Sequence, residues 1–103
     1  MRTRNRKLIH YGITEARGRE LLQLAAQEDY RDLVCQAAEL SNSYLASYLV
    51  KSLRQGIGYD RIFGRRYVYP CTRADFYGYR RKTLAIIDRL LAEEGGISGG
   101  QLS

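Results

Sequence analysis

The sequence has few of the residues that build metal centres and redox sites: one histidine and two cysteines among 103 residues. His10 lies outside the segments with a clear helical pattern, and Cys35 and Cys71 are far apart in the chain. Their spacing matches neither a CxxC pair nor a Cys/His metal motif. A Cys/His catalytic pair would need His10 beside one of the thiols, and no motif indicates that arrangement. We therefore predict no metal site and no catalytic site.

Long apolar runs and phosphate-binding motifs are also missing. No segment approaches the roughly 20 apolar residues that span a bilayer, and nothing resembles a secretory signal. The segment GIGYD has neither the spacing nor the lysine of a P-loop. We expect a cytoplasmic protein that is not an enzyme, needs no cofactor and does not enter a membrane.

The two cysteines are expected to be free thiols. Cys35 lies in the apolar helical pattern LVCQAAEL, which favours a small core residue. Cys71 precedes the start of a predicted helix, a position where the pKa of a thiol is often lowered. A cysteine without a placed histidine base is nevertheless more often structural than reactive.

Positive charge is concentrated in one part of a basic chain, whose net charge is +6. Residues 14–40 contain three arginines against six carboxylates, whereas residues 51–82 contain nine lysines and arginines against two carboxylates. The chain also has nine tyrosines, which suit surfaces that are partly apolar and still wet. Of these, Tyr30, Tyr44 and Tyr48 are expected to pack at the edge of the core. This segregated charge favours a polyanionic partner.

Helical periodicity dominates the chain, and no internal repeat or second domain is visible. Apolar stripes and capping residues predict helices that begin near Thr14, Glu28, Ser41 and Thr72, with a short helix at about Tyr59–Phe63. Gly56 and the Gly95-Gly96 pair are expected to end the third and last helices. The fold class is therefore all-α, a small bundle of about five helices.

Three regions follow from this pattern. We assign a basic N-terminal arm to residues 1–13, one helical domain to residues 14–93, and a flexible glycine-rich tail to residues 94–103. Residues 56–92 have the proportions of a helix-turn-helix, with a short helix, a turn and a long capped helix. In that motif the N-terminal residues of the second helix meet base edges in the DNA major groove.

A helical wheel of the last helix turns Phe76, Thr83, Leu84 and Ile87 inward. It leaves Arg73, Tyr77, Gly78 and Arg81 facing outward, with Arg80 to one side. Arginine pairs with guanine or phosphate, and tyrosine bonds phosphate or stacks on a base. The candidate DNA-binding residues are Thr72, Arg73, Tyr77, Arg80, Arg81 and Lys82 on the last helix, Arg65 and Arg66 in the turn, and Lys51 on the third helix.

The cations near the start of this helix pose an electrostatic problem. They add to the positive pole of the helix dipole, which disfavours them in isolation. A bound phosphate would reverse the sign of this effect, because backbone amides, dipole and guanidinium groups would all face an anion. This reasoning favours double-stranded DNA as the partner.

The stretch YPCTRADFYGYRRKTLAIIDRLL resembles a "(I/V)PCSRxxFYxxRRKxxxxL" motif in small proteins encoded by prophages and mobile elements of Firmicutes. In that family the motif stands at the recognition helix of a sigma-factor region 4-like helix-turn-helix, and GIGYDRI resembles the "GxxYD" entry to its scaffold helix. The matching residues are Val68, Pro70, Cys71, Thr72, Arg73, Phe76, Tyr77, Arg80, Arg81, Lys82 and Leu84. The resemblance covers residues 56–91 and implies a transcriptional regulator of the phage late-activator kind.

Two other functions use the same basic residues. The chain would act as an adapter if the basic helix docked on an acidic protein, such as an RNA polymerase subunit or another phage protein. It would bind RNA if the arginines and tyrosines contacted single-stranded bases. Stripes of leucine and tyrosine in residues 20–53 also favour a homodimer, which would suit two DNA half-sites.

Overall fold

The computed structural model describes residues 7–64 and 70–98, with side chains described up to residue 93. Within these ranges the chain is all-α, as predicted, and contains five α-helices and no strand. The helices are α1 (Glu15–Ala25), α2 (Arg31–Ser41), α3 (Ala46–Gln55), α4 (Tyr59–Phe63) and α5 (Arg73–Ser98), with 3₁₀ turns at Leu8–Tyr11 and Glu28–Tyr30.

Local capping chemistry fixes three helix ends where the sequence predicted them. The Thr14 hydroxyl accepts a hydrogen bond from the Arg17 amide at 3.1 Å and begins α1. Gly56, with φ of 68°, ends α3 in the left-handed conformation that favours glycine. The Thr72 hydroxyl accepts from the Asp75 amide at 3.1 Å, which confirms Thr72 as the N-cap of α5.

Helix α5 is the centre of the bundle. It contacts α1, α2, α3, α4 and the first 3₁₀ turn, and it packs most extensively against α2. Its predicted inner face is confirmed, since Phe76, Leu84 and Ile87 are each at most 2% exposed. Because the basic helix α5 is also the central helix of the bundle, only part of it is accessible.

The buried residues form two clusters along α5. The first joins α1, α2 and α3 to the middle of α5 and contains Ile13, Leu21, Ala25, Val34, Ala37, Leu53, Leu84, Ile86 and Ile87. The second joins α3 and α4 to the beginning of α5 and contains Ala38, Leu45, Ala46, Leu49, Tyr59, Phe63 and Phe76. Because Ile13 is buried and Leu8 and Tyr11 pack against the first cluster, the packed domain begins before α1.

Aromatic rings hold α4 against α5 within the second cluster. The centroid of Phe76 lies 5.5 Å from Phe63 and 5.8 Å from Tyr59, both in edge-to-face geometry. Tyr59 and Phe63 are themselves 4.8 Å apart. Residues 64–72 connect the two helices, a longer link than the roughly three or four residues of a typical helix-turn-helix. Residues 65–69 of this link lie outside the described part of the chain.

Three expectations about individual segments are wrong. Cys35 is exposed, because Val34, Ala37 and Ala38 form the inner face of α2 and Cys35 lies outside that stripe. Tyr44 is 73% exposed and does not pack at the core edge. Helix α5 continues beyond Glu93 to Ser98, because glycine weakens a helix by only ~1 kcal/mol and does not forbid its backbone angles.

None of the helices in residues 7–64 and 70–98 combines the length and apolar character needed to cross a bilayer.

We expect Phe76→Ala to lower the free energy of unfolding by about 3–5 kcal/mol, because it removes a fully buried ring and leaves a cavity between α4 and α5. Urea unfolding followed by circular dichroism measures the loss. Tyr44→Ala is the matched control, since the same kind of truncation at an exposed position should cost less than about 0.5 kcal/mol. Equal losses in the two variants would contradict the central place of Phe76.

Candidate nucleic-acid interface

The beginning of α5 is exposed, although most of the helix is not. Thr72, Arg73 and Ala74 are all exposed, and burial begins at Phe76. The first turn therefore projects from the bundle with its N-cap threonine and one arginine accessible. A macromolecular surface could reach α5 at this end, whereas a groove could not accept the helix along its whole length.

Arg73 is held in a two-point ion pair by Asp60 of α4. Its two Nη groups donate to the two carboxylate oxygens of Asp60 at 2.9 and 2.8 Å, and its guanidinium lies 5.2 Å from the ring centroid of Tyr59. Both side chains remain exposed, 57% for Arg73 and 70% for Asp60. An exposed pair of this kind contributes little to stability and is weakened by salt.

The hydrogen bond from Arg73 holds the pKa of the Asp60 carboxyl below its ordinary value, although slight desolvation opposes this effect. Because the folded-state pKa is lowered, the pair stabilises the fold above the ordinary carboxyl pKa. That contribution is lost as the pH falls through the lowered value.

Tyr77 and Gly78 do not face outward, so the helical-wheel expectation is wrong for both. Tyr77 is half-buried beside Phe76, and its hydroxyl accepts a hydrogen bond from the Tyr59 amide at 3.1 Å. Gly78 is buried. The wheel failed because α4 and the preceding Gly58 pack on this side of α5, and the sequence does not reveal which side a five-residue helix covers.

Arg80 turns toward the interior. It is half-buried between α5 and α3, where its Nε donates to the Ser52 hydroxyl at 2.8 Å. Burial lowers the pKa of the Arg80 guanidinium, neighbouring Arg81 lowers it further, and Tyr77 partly opposes the shift. The helical wheel predicts Arg80 at one side of the exposed face of α5. In the structure Arg80 lies farther from that face, against Ser52 of α3.

The remaining candidate residues are dispersed. Arg81 is half-buried and lines a pocket of about 580 Å³ with Lys7, Thr14 and Glu15. The half-buried Lys82 has its ammonium 5.9 Å from the ring centroid of Tyr79.

Lys51 is exposed on α3, and Arg61 is exposed on α4 beside Asp60. The predicted contributions of Arg65 and Arg66 fall outside the described residues. Arg73 thus contacts α4, and Arg80 contacts α3. No described contact brings all of the predicted DNA-binding residues together in one cluster.

Cys71 does not have the lowered pKa expected of a thiol before a helix. Burial raises its pKa, and the nearby Asp75 carboxylate raises it further. Its carbonyl oxygen accepts the Tyr59 hydroxyl at 2.6 Å, so this residue takes part in holding α4. Its position is structural.

Sequence reasoning missed the two α4 residues that organise this end of the molecule. In the sequence, Asp60 is one of only two carboxylates in the basic segment 51–82, and Tyr59 is the first residue of a short predicted helix. Tyr59 is 5% exposed and contacts the α5 end through its amide, hydroxyl and ring. The one signal in the sequence was the Tyr59-Asp60 dipeptide shortly before the apolar pair Ile62-Phe63. No local rule, however, pairs an aspartate with an arginine 13 residues away.

No family model matches the chain, and neither the curated proteins nor the solved structures include a significant match. In the described part of the chain, no three histidine, cysteine or acidic residues lie together as a metal site would require.

We expect Gly58→Ala to destabilise the fold by about 1–3 kcal/mol through steric conflict. A Cβ atom at position 58 would lie 2.5 Å from the Tyr77 hydroxyl oxygen and 3.7 Å from the ring carbon that carries it. Removing the hydroxyl should therefore relieve the conflict, so the Tyr77→Phe change should cost less in the Gly58→Ala background than in the wild type. Urea unfolding of the four proteins in a double-mutant cycle measures this coupling.

The control for that cycle is Gly56→Ala, which is strained by its positive φ but meets no atom within 4 Å. Tyr77→Phe should not rescue it. Additive losses for Gly58→Ala and Tyr77→Phe would contradict the described contact.

We expect Cys35 to react with iodoacetamide at neutral pH well before Cys71 does. Cys35 is exposed, whereas Cys71 is half-buried with a raised pKa, and the thiolate is the reactive species. Mass spectrometry of timed samples identifies the modified residue. In the Cys35→Ser variant only slow labelling should remain, and equally fast labelling of Cys71 would contradict its assignment.

Proposed function

We propose that this protein binds double-stranded DNA through the exposed beginning of α5, with Arg73 as the first contact. The support is the state of Arg73, which is exposed and already arranged as a two-point donor to a carboxylate. Phosphate and the guanine edge accept the same pair of hydrogen bonds from arginine. A regulatory role in transcription is the part of the proposal that rests on the sequence resemblance.

While no ligand is bound, the Asp60 carboxylate offsets the unfavourable positive charge at the beginning of α5. It neutralises Arg73 beside the positive pole of α5, as a phosphate would do. Binding of DNA would therefore exchange one anion for another at Arg73. Since the exposed pair is weak, the exchange would cost little.

The burial of α5 determines how DNA would approach. Most of the helix lies within the bundle, so contact would be made by its first turn, end-on, in the manner of recognition helices whose N-terminal residues reach the bases. Exposed Lys51 and Arg61 on the two preceding helices would add contacts to the phosphate backbone. These contacts position the protein without reading sequence.

The first experiment is fluorescence anisotropy with a labelled random-sequence duplex at several salt concentrations. We expect a log–log slope near −4 or steeper, which corresponds to roughly four or five neutralised phosphates. An RNA hairpin and a poly-glutamate peptide serve as comparison probes. Preference for either probe over the duplex would contradict the proposal in favour of RNA or an acidic protein, and absence of duplex binding at low salt would reject it.

We expect Arg73→Ala to weaken duplex binding about fivefold to tenfold at 0.1 M salt and to reduce the magnitude of the salt slope by about one. Arg89→Ala is the matched control, because Arg89 is an exposed arginine at the far end of the same helix, 65% exposed and 4.0 Å from Glu93. The control should bind nearly as well as the wild type. Equal losses would indicate a response to net charge with no docked helix end.

We expect Asp60→Asn to have the opposite effect on binding, with up to about fivefold higher affinity. The change releases Arg73 and removes a negative charge that would face the phosphates. The same variant should be slightly less stable to urea, because Asp60 lies in the first turn of α4. Tighter binding by a less stable protein separates this result from a general effect on folding, and unchanged or weaker binding would contradict the exchange.

A further inference from the structure

Among the described residues Arg80 has no carboxylate partner, in contrast to the half-buried Arg17 and Arg54. Arg17 pairs with Asp88 at 2.8 Å, and Arg54 pairs with Glu28 at 3.1 Å. Arg80 has only the Ser52 hydroxyl, at 2.8 Å from its Nε, within the described residues. Its positive charge is therefore held in the cleft between α3 and α5 without an opposite charge.

This arrangement costs stability. A charge that is partly removed from water and left uncompensated is unfavourable, and the next residue in the chain is another arginine. Ser52 does not need the arginine, because its hydroxyl donates to the Ile57 carbonyl oxygen at 2.6 Å. Replacing the guanidinium by an apolar side chain of similar length would thus leave no buried donor unsatisfied.

The terminal nitrogens of Arg80 remain available. Its bond to Ser52 uses Nε alone, and neither Nη is a fully buried nitrogen that lacks a partner. Ser52 is fully buried and fixes the plane of the guanidinium from behind. The result is a pre-oriented pair of donors close to the half-buried Tyr77, one turn earlier on the same helix.

We propose that Arg80 forms a phosphate-binding site in the cleft between α3 and α5, and that it is retained for this contact at the expense of the stability of the fold. The ligand class is a phosphodiester group, and its source is the backbone of the bound duplex. The identity of that source rests on the proposed function, whereas the anion site itself does not.

Arg80→Met tests the inference through two readouts that should move in opposite directions. We expect the variant to unfold at a temperature a few degrees higher than the wild type. We expect its duplex affinity to fall about tenfold. Arg17→Met is the comparator, because it breaks the ion pairs with Asp88 and Glu20 and should lower the unfolding temperature with little change in duplex affinity.

The inference is overturned if Arg80→Met is less stable than the wild type or fails to fold, since the arginine would then be kept for the structure. It is also overturned if the variant is more stable but binds duplex as well as the wild type does, a result that leaves the proposed function standing. A matched Arg89→Met variant, which removes the same charge from an exposed position, should change neither readout.

A second arm separates this inference from the proposed function. The unfolding temperature of wild type, Arg80→Met and Arg89→Met is measured in inorganic phosphate and in sodium chloride of equal ionic strength. If no variant and no wild-type protein binds duplex, the proposed function fails. The anion site is then supported by a phosphate-dependent rise in the wild type and Arg89→Met that exceeds the rise in Arg80→Met. Equal rises in all three overturn it.

Discussion

The edge-to-face packing of Phe76 against Tyr59 and Phe63 is the contact on which the basic end of this molecule depends. A five-residue helix has too few internal hydrogen bonds to be stable alone, so α4 exists because its aromatic side is buried on α5. That packing also places the Tyr59 amide under the Tyr77 hydroxyl and brings Asp60 within reach of Arg73. The electrostatics of the surface therefore follow from the packing of three rings beneath it.

If α5 is a binding element as well as the central helix of the bundle, its residues must be divided between the two roles. In α5 the division is along the axis as much as around it: the first turn is exposed, and the turns that follow pack against α2, α3 and α4. This favours contact through the helix end, where the backbone amides and the dipole act together on an anion. In the free protein Asp60 supplies an anion at that end of the helix.

The sequence was sufficient to predict the helices, but it did not show which helix packs against which side of α5. Capping residues such as Thr14 and Thr72 act within three residues, so local rules predicted them, and helical spacing predicted the inner face around Phe76 and Leu84. The positions of Tyr77 and Arg80 depended on which sides of α5 the short helix and α3 would cover, a choice made by packing between distant segments. The prediction for Cys35 was wrong for a related reason. An apolar pattern shows that α2 has a buried face, but it does not show how few residues that face contains.

The cations of the basic segment are thus of two physical kinds, which composition cannot separate. Arg73 is exposed and compensated, so its ion pair contributes little stability and can be exchanged for a phosphate at little cost. Arg80 is half-buried and has no carboxylate partner among the described residues, so burial of its charge is unfavourable and an anion would offset that cost. A phosphate at Arg73 would only replace a carboxylate, whereas a phosphate at Arg80 would add a missing counter-charge. If both residues contact one duplex, the favourable electrostatic free energy of binding should therefore come mainly from Arg80. Arg73, in the exposed first turn of α5, would meet the DNA first.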